Sequence, residues 1–308
     1  MQDSQSLKTK TDFIPPMIDG VSASQVYLPD IQPQPATVFA YLCHQFSHIT
    51  PQEWSQRFID QLIYDQSGNC LNIDSPFTAY RHVFYYRFLK HEIVVPFPHH
   101  ILFENDHLLV VDKPHFLTMT PTGQYVQQTL LVRLKQQTNN PYLTPIHRLD
   151  RETAGVVLFS KTPETRGHYQ QLFAQRQVYK SYHAIAPFNP TLTFPQQVNL
   201  RMEKGIPFYT MQVMPGINNS QTDITLLHHN QHWAKYLLQP HTGKQHQLRV
   251  HLSYLGLPIK NDPFYPQVIH KPADDFSAPL QLLAKHLTFQ DPIQQREMCF
   301  SSQYDLDL

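Results

Sequence analysis

A chain of 308 residues can hold one large domain, or a catalytic domain with a smaller companion, and either would bury a real core. Apolar residues make up 41% of it, yet no run approaches the roughly 20 that cross a bilayer, and Cys43, Cys70 and Cys299 are too few and scattered for a disulfide framework or a zinc knuckle. The formal net charge of zero excludes a uniformly basic nucleic-acid binder but leaves room for a local positive cleft, because charges act over about a Debye length, roughly 8 Å in physiological salt.

The opening MQDSQSLKTKTDFIPPMIDG lacks an apolar core of signal-peptide length, so a soluble, cytoplasmic protein is expected. Residues 1–36 carry Pro15-Pro16, Pro29, Pro33 and Pro35 among polar neighbours and read as an extended, partly disordered arm. From Ala36 the pattern changes. Val38, Phe39, Tyr41 and Leu42, then Trp54, Phe58, Ile59 and Leu62, recur near helical spacing and predict two short helices. Tyr64-Asp65-Gln66-Ser67-Gly68-Asn69 is turn chemistry, and a hairpin is predicted from there to Tyr86. Residues 37–92 thus make a compact helix-helix-hairpin unit, and Pro96-Phe97-Pro98 marks the start of a second one, 93–308.

In the second unit, Ile101-Leu102-Phe103 and Leu108-Leu109-Val110-Val111 flank a turn as a hairpin does. Thr129 to Gln137 predicts a helix that stops at Asn139-Asn140-Pro141. Gly155-Val156-Val157-Leu158-Phe159 is a continuous apolar run, the signature of a strand covered on both faces. Thr162-Pro163-Glu164 supplies a cap, a proline for the first helical position and an acid near the positive helix end. Strands are predicted around Ser181–Ala186, Thr222–Leu227 and Trp233–Leu238. Thr242-Gly243-Lys244-Gln245 has the form of a capping box, with Leu248, Leu252 and Leu255 following at helical spacing before Gly256. Strands and helices mixed without regular βαβ alternation imply an α+β fold.

The segment that invites chemistry is His147-Arg148-Leu149-Asp150-Arg151-Glu152-Thr153-Ala154-Gly155. It places a carboxylate between two arginines on a loop that enters a buried strand, which would fix its position while leaving it open to a ligand. The residues alone favour a structural salt bridge, because charged loop clusters usually are that. From His147 to Tyr182, Arg148, Arg151, Lys161, Arg166, Arg176 and Lys180 outweigh Asp150, Glu152 and Glu164, so the stretch is locally positive. His241, His246 and His251 are spaced by five, about 140° apart on a helix, whereas metal-ligand pairs usually sit at i and i+4. No shared metal site is expected.

HRLDRETAG resembles the H-R-L-D-x-x-T-S-G signature of the RluA-type pseudouridine synthases, and further blocks follow the family's order. They are ENDHLLVVDKP at 104–114, KSYHA at 180–184, HTGKQHQLRVHLSYLGLPIKNDPFY at 241–265 and LLAKHLTFQDP at 282–292. Ala154 stands where the family has serine, and Lys113-Pro114 is followed by His115-Phe116-Leu117 in place of a small residue and glycine. The resemblance implies the pseudouridine synthase fold, a mixed, mainly antiparallel central sheet flanked by helices, and residues 37–92 resemble a degenerate S4-type RNA-binding domain.

It further implies that uridine in structured RNA is isomerised to pseudouridine with no metal or cofactor; the S4-like unit favours ribosomal RNA ahead of transfer RNA, and a monomer with no obligatory protein partner is expected. Asp150 would act on the ribose, either at C1′ or by removing a ribose proton. Tyr182 would pack on the base and manage the proton leaving C5, and Arg249 would orient the aspartate. Arg148 would fill the stack vacated by a flipped base, with His147, Arg151 and Lys244 as further substrate contacts. The competing readings are a catalytically inactive RNA-binding protein of the same fold and a glycoside or nucleoside hydrolase pairing Asp150 with Glu152.

Overall fold

The structure, a computed structural model, describes residues 13–89 and 91–308, in two compact units: one within Met1–Lys90 and one spanning His91–Leu308. In the first unit a strand, β1 (Ser24–Leu28), precedes helices α1 (Val38–Gln45) and α2 (Pro51–Ile59) and strands β2 (Ile63–Asp65) and β3 (Arg81–Tyr85). Both helices begin at caps the sequence supplies. The Thr37 hydroxyl accepts from the Ala40 amide, and Thr50 forms a reciprocal capping box with Glu53 ahead of Pro51. Their apolar faces meet the sheet in a core of Leu42, Trp54, Phe58, Ile63 and Val83.

Part of the expected arm is not an arm. Ser24–Leu28 pairs antiparallel with β3 over its whole length and makes the sheet order β1-β3-β2. Leu28 is 1% exposed in the core, and this burial outweighs the prolines that bracket the segment. Residues 1–12 of that stretch lie outside the described residues.

The second unit is built on one sheet. Its elements are β4 (His100–Glu104), β5 (Leu108–Lys113), α3 (Leu130–Thr138), β6 (Thr144–Pro145), β7 (Ala154–Ser160), α4 (Pro163–Ala174), β8 (Tyr179–Pro187), β9 (Gln196–Lys204), β10 (Met211–Met214), β11 (Ser220–His229), β12 (Trp233–Pro240), α5 (Gln247–Tyr254), β13 (Leu282–Gln290) and β14 (Glu297–Ser301). The strand order is β10-β9-β11-β12-β8-β13-β7-β5-β4, with β14 added beside β13 and β6 beside β7. Every pairing is antiparallel except β13 with β7, where Leu283 lies opposite Ala154 and Ala284 opposite Gly155. Here the backbone dictates the residue: Gly155 has φ +118°, and a Cβ there would fall 2.2 Å from the Ala284 carbonyl oxygen.

Strands β5 and β7 are covered on both faces, as their unbroken apolar runs predict. Leu109, Val111, Val157 and Phe159 pack with Leu130 and Leu134 of α3, while Leu108, Val110, Val156 and Leu158 pack with Tyr169 and Leu172 of α4. Helix α5 lays Leu248, Val250 and Leu252 on a third cluster with Ala184, Tyr236 and Leu238. Tyr182, on β8, packs against both this cluster and that of α3. Among the described residues no helix is long and apolar enough to cross a membrane.

Candidate active site

The loop from β6 to β7 carries Asp150, and its anchoring starts in the sheet. The Ile146 amide donates to the Leu158 carbonyl at 2.9 Å, and the Leu158 amide donates to His147 Nε2 at 3.1 Å. The imidazole therefore replaces a backbone acceptor, and its ring stacks on Phe173 at 4.6 Å. Burial lowers its pKa to about 3, helped by Lys180, so the ring stays neutral. After Asp150 the chain turns, with the Thr153 amide donating to the Asp150 carbonyl at 3.2 Å, and enters β7. Two rigid ends thus hold a carboxylate that remains 18% exposed.

Arg249 comes from α5 and is 1% exposed. Its Nη1 lies 3.4 Å from Asp150 Oδ2 and 3.9 Å from Glu152 Oε2. Its shorter bonds go elsewhere: Nε and Nη2 donate to the two oxygens of Asp262 at 2.8 and 2.6 Å. Asp262 Oδ1 also accepts from the amides of Phe264 and Tyr265. Burial by itself favours the neutral guanidine, but hydrogen bonding and charge from Asp262, followed by Asp150 and Glu152, outweigh it and hold Arg249 above its usual range. The guanidinium also lies 4.9 Å from the Phe264 ring centre.

Helix α5 does not begin with the expected capping box. Gln247 does the work assigned to Gln245: its Oε1 accepts from Thr242 Oγ1 at 2.6 Å and from the Lys244 amide at 3.1 Å. Its Nε2 donates to the Gln221 carbonyl and to Thr222 Oγ1. His246, at φ +53°, occupies the cap position without a side-chain cap bond. Its Nε2 lies 3.7 Å from Asp150 Oδ2 and its Nδ1 2.8 Å from the Tyr265 hydroxyl. Burial lowers the His246 pKa, against the pull of the Asp150 charge. The three histidines of this block go to separate partners: His241 to Asp223, His246 to Tyr265 and His251 to Ser220.

Asp150 and Arg249 line a cleft of about 1350 Å³. Arg148, Arg176, Lys180 and Lys244 line it too, against Asp223 as the other acid, so a chain of zero net charge presents a positive cavity. Arg148 and Lys244 are exposed. Tyr182 reaches the same cleft. Burial, then the Asp150 charge, pushes its phenol well above the ordinary range, so it keeps its proton at neutral pH. Its ring therefore stands as a neutral aromatic surface beside Asp150.

Two of the expected substrate contacts also brace the fold. His147 lines the cleft, but its ring braces β7 as described. Arg151 is absent from the cleft lining. Its Nη2 donates to the Ala273 carbonyl at 3.1 Å, and its guanidinium packs 5.3 Å from the Tyr125 ring and 5.6 Å from Phe116.

Sequence reasoning missed Asp262, His246 and Lys113 as parts of this site. Lys113 ends β5 fully buried, and its Nζ donates to the carbonyls of Pro114, Leu117 and Arg151 at 2.9–3.1 Å. It straps the Asp150 loop to the segment after β5. Burial lowers its pKa to about 7 despite Glu152 and Asp150. The available signal was a run such as Lys260-Asn261-Asp262, where a charge sits inside a block that is otherwise apolar and turn-forming. Ala154, in place of serine, lies in an apolar cluster with Ile185, Leu283 and Leu306, where its methyl is at home.

Comparison with solved structures fixes the class of fold. The chain superposes on human RNA pseudouridylate synthase domain containing 4 with a TM-score of 0.52 and 27% identity, over 67% of this chain and 88% of that one. Human RNA pseudouridylate synthase domain containing 1 shares the fold at TM-score 0.54 and 23% identity, over 67% and 84%. This is the pseudouridine synthase fold, an α+β architecture with a mixed, mostly antiparallel sheet. In sequence, residues 107–254 match the family described as RNA pseudouridylate synthase. An RNA pseudouridine synthase of Mycoplasma pneumoniae, named as uncharacterised, is 30% identical over 68% of each chain. The dual-specificity RNA pseudouridine synthase RluA of Haemophilus influenzae is 30% identical over 67% of this chain and 93% of its own. The chain belongs to the RluA-type family of RNA pseudouridine synthases. It covers a smaller share, 37%, of the mitochondrial tRNA pseudouridine(32) synthase of Saccharomyces cerevisiae, to which it is 31% identical.

Proposed function

We propose that this protein isomerises specific uridines of structured RNA, ribosomal RNA ahead of transfer RNA, with Asp150 acting on the ribose. The observation that carries the reading is the state of Asp150: partly exposed in a positive cleft, and oriented by a guanidinium that Asp262 holds in place. The C1′–N1 bond breaks, a C1′–C5 bond forms, and the proton lost at C5 is matched by one gained at N1. Atoms and electrons balance without a co-reactant.

Breaking the glycosidic bond builds oxocarbenium-like charge on the sugar, which a carboxylate beneath it stabilises or captures. A stacked uridine hides that bond, so the base must leave the helix at a cost of a few kcal/mol. Arg148, exposed on the cleft wall, is suited to fill the gap, and Lys244, Arg176 and Lys180 to meet phosphates. Tyr182 offers its ring to the extruded base while its hydroxyl keeps its proton.

The test uses ribosomal and transfer RNA transcripts tritiated at uridine C5, incubated with purified protein without added metal. Release of tritium to water is expected, and Asp150→Asn should abolish it; release that survives Asp150→Asn sinks the assignment. Mapping pseudouridine across total RNA with and without the gene separates the two RNA classes.

A further inference from the structure

We propose that Ile206 and Phe208, at the tip of the β9–β10 hairpin, form a stacking surface for an unpaired base next to the modified uridine. This rests on the RNA-modifying reading of the cleft. Both side chains are held out in solvent: Ile206 is 97% exposed and Phe208 78%. A lone exposed apolar side chain is ordinary. Here the tip that presents them is stiff. The Gly205 amide donates to the Thr210 carbonyl at 3.0 Å, and the Thr210 amide and hydroxyl both donate to the Pro207 carbonyl, at 2.8 and 2.7 Å.

The tip is also joined to the catalytic centre by an unbroken file of rings. Phe208 lies 5.6 Å from Tyr209, Tyr209 lies 5.4 Å from Phe264, and Phe264 lies 5.6 Å from His246 and 4.9 Å from the Arg249 guanidinium. Two hydrogen bonds tie the hairpin to the same wall. Gln245 Nε2, on the cleft, donates to the Tyr209 carbonyl at 3.2 Å, and the Met211 amide donates to the Tyr265 hydroxyl at 2.8 Å. The file therefore starts beside Asp150 and ends on an exposed aromatic face.

Chemistry selects the occupant. Single-stranded RNA is gripped by rigid aromatic faces that stack bases and by cations that follow its backbone. Phe208 supplies the first, and Lys244 on the cleft supplies the second. Two side chains are far too small for a protein interface of about 800 Å² per partner. RNA already drawn into the cleft brings its own affinity, so a small added surface is enough to select flanking sequence.

The experiment measures steady-state kinetics of Phe208→Ala and Phe208→Trp on the RNA fragment from which the unaltered protein releases tritium. Base stacking on an aromatic side chain is worth about 1–3 kcal/mol, so Phe208→Ala should raise KM by about 5- to 140-fold. It should leave kcat and thermal stability little changed, and Phe208→Trp should restore KM. A KM unmoved by Phe208→Ala overturns the stacking role and leaves the catalytic reading standing. The same holds if the unaltered chain sediments as a dimer that Phe208→Ala dissociates without change in KM, because the tip is then a self-association contact. If the unaltered protein acts on no RNA and binds none, both readings fall.

Discussion

Replacing Asp262 with asparagine keeps the shape of the side chain and changes one oxygen and one charge. In the native site Oδ1 accepts from Arg249 Nη2 and from two backbone amides, and Oδ2 accepts from Arg249 Nε at 2.8 Å. An amide oxygen can keep the Oδ1 set, but the amide nitrogen then faces the Nε–H, donor against donor. Both side chains are essentially out of water, at 1% and 0% exposed, so no solvent molecule repairs the loss. Breaking a buried pair costs about 3–5 kcal/mol. Asp150 and Glu152, within 3.4 and 3.9 Å of Nη1, partly compensate and set the expectation at the low end, about 3 kcal/mol. In a unit of this size that lowers Tm by about 6–12 °C. A guanidinium freed from Asp262 drifts toward Asp150, and displacement on the scale of 1 Å costs up to about a hundredfold in kcat. Calorimetry gives the first number and tritium release the second, with RNA affinity measured separately. An Asp262→Asn protein that melts within about 2 °C of the original, or that keeps full kcat, refutes the clamp.

Acid should destabilise the second unit. Burial lowers His147 to about 3, with Lys180 adding to it, while burial lowers His115 and His251 to about 4. Between about pH 6.5 and 4 the unfolded chain binds protons that the folded chain refuses, so this stability is present above 6.5 and lost as pH falls, at up to about 1.4 kcal/mol per pH unit for each ring. Urea midpoints from pH 7 to 5 check the slope, and His147→Gln should flatten it. Gly155→Ala should cost more than about 3 kcal/mol, read from thermal unfolding, because its Cβ meets the Ala284 carbonyl at 2.2 Å in the parallel pairing of β7 with β13. Arg148→Ala should leave stability within about 0.5 kcal/mol yet reduce turnover of a base-paired substrate far more than of a single-stranded one.

The elements that local chemistry specifies were legible in the sequence. Thr129 does accept from the Val132 amide to start α3, Pro163 opens α4 although Thr162 makes no side-chain cap bond there, and the run from Gly155 to Phe159 is buried on both faces because α3 and α4 each take one. What escaped depends on partners distant in the chain. β1 was hidden by its prolines, although Val26 and Leu28 alternate inward, because a strand is completed by its neighbour, here β3. The start of α5 lies later than the pattern implies because Gln247, which accepts from Thr242 and Lys244, also donates to Gln221 and Thr222 of β11, and no local pattern shows that second half. Lys113 and Asp262 escaped for the same reason: a buried charge is visible only with its partners in place.

Asp150 itself tests the difference between a salt bridge and a working carboxylate. HRLDR on a loop fits either, and a purely structural pair would put the short, bidentate contact between Asp150 and Arg249. The geometry runs the other way. Asp262 takes Arg249 at 2.6 and 2.8 Å with no exposure, while Asp150 is left the longer contact of 3.4 Å and a face open to the cleft. One carboxylate neutralises the buried guanidinium, so the other is oriented without being used up. That open face is what the proposed action of Asp150 on a ribose requires.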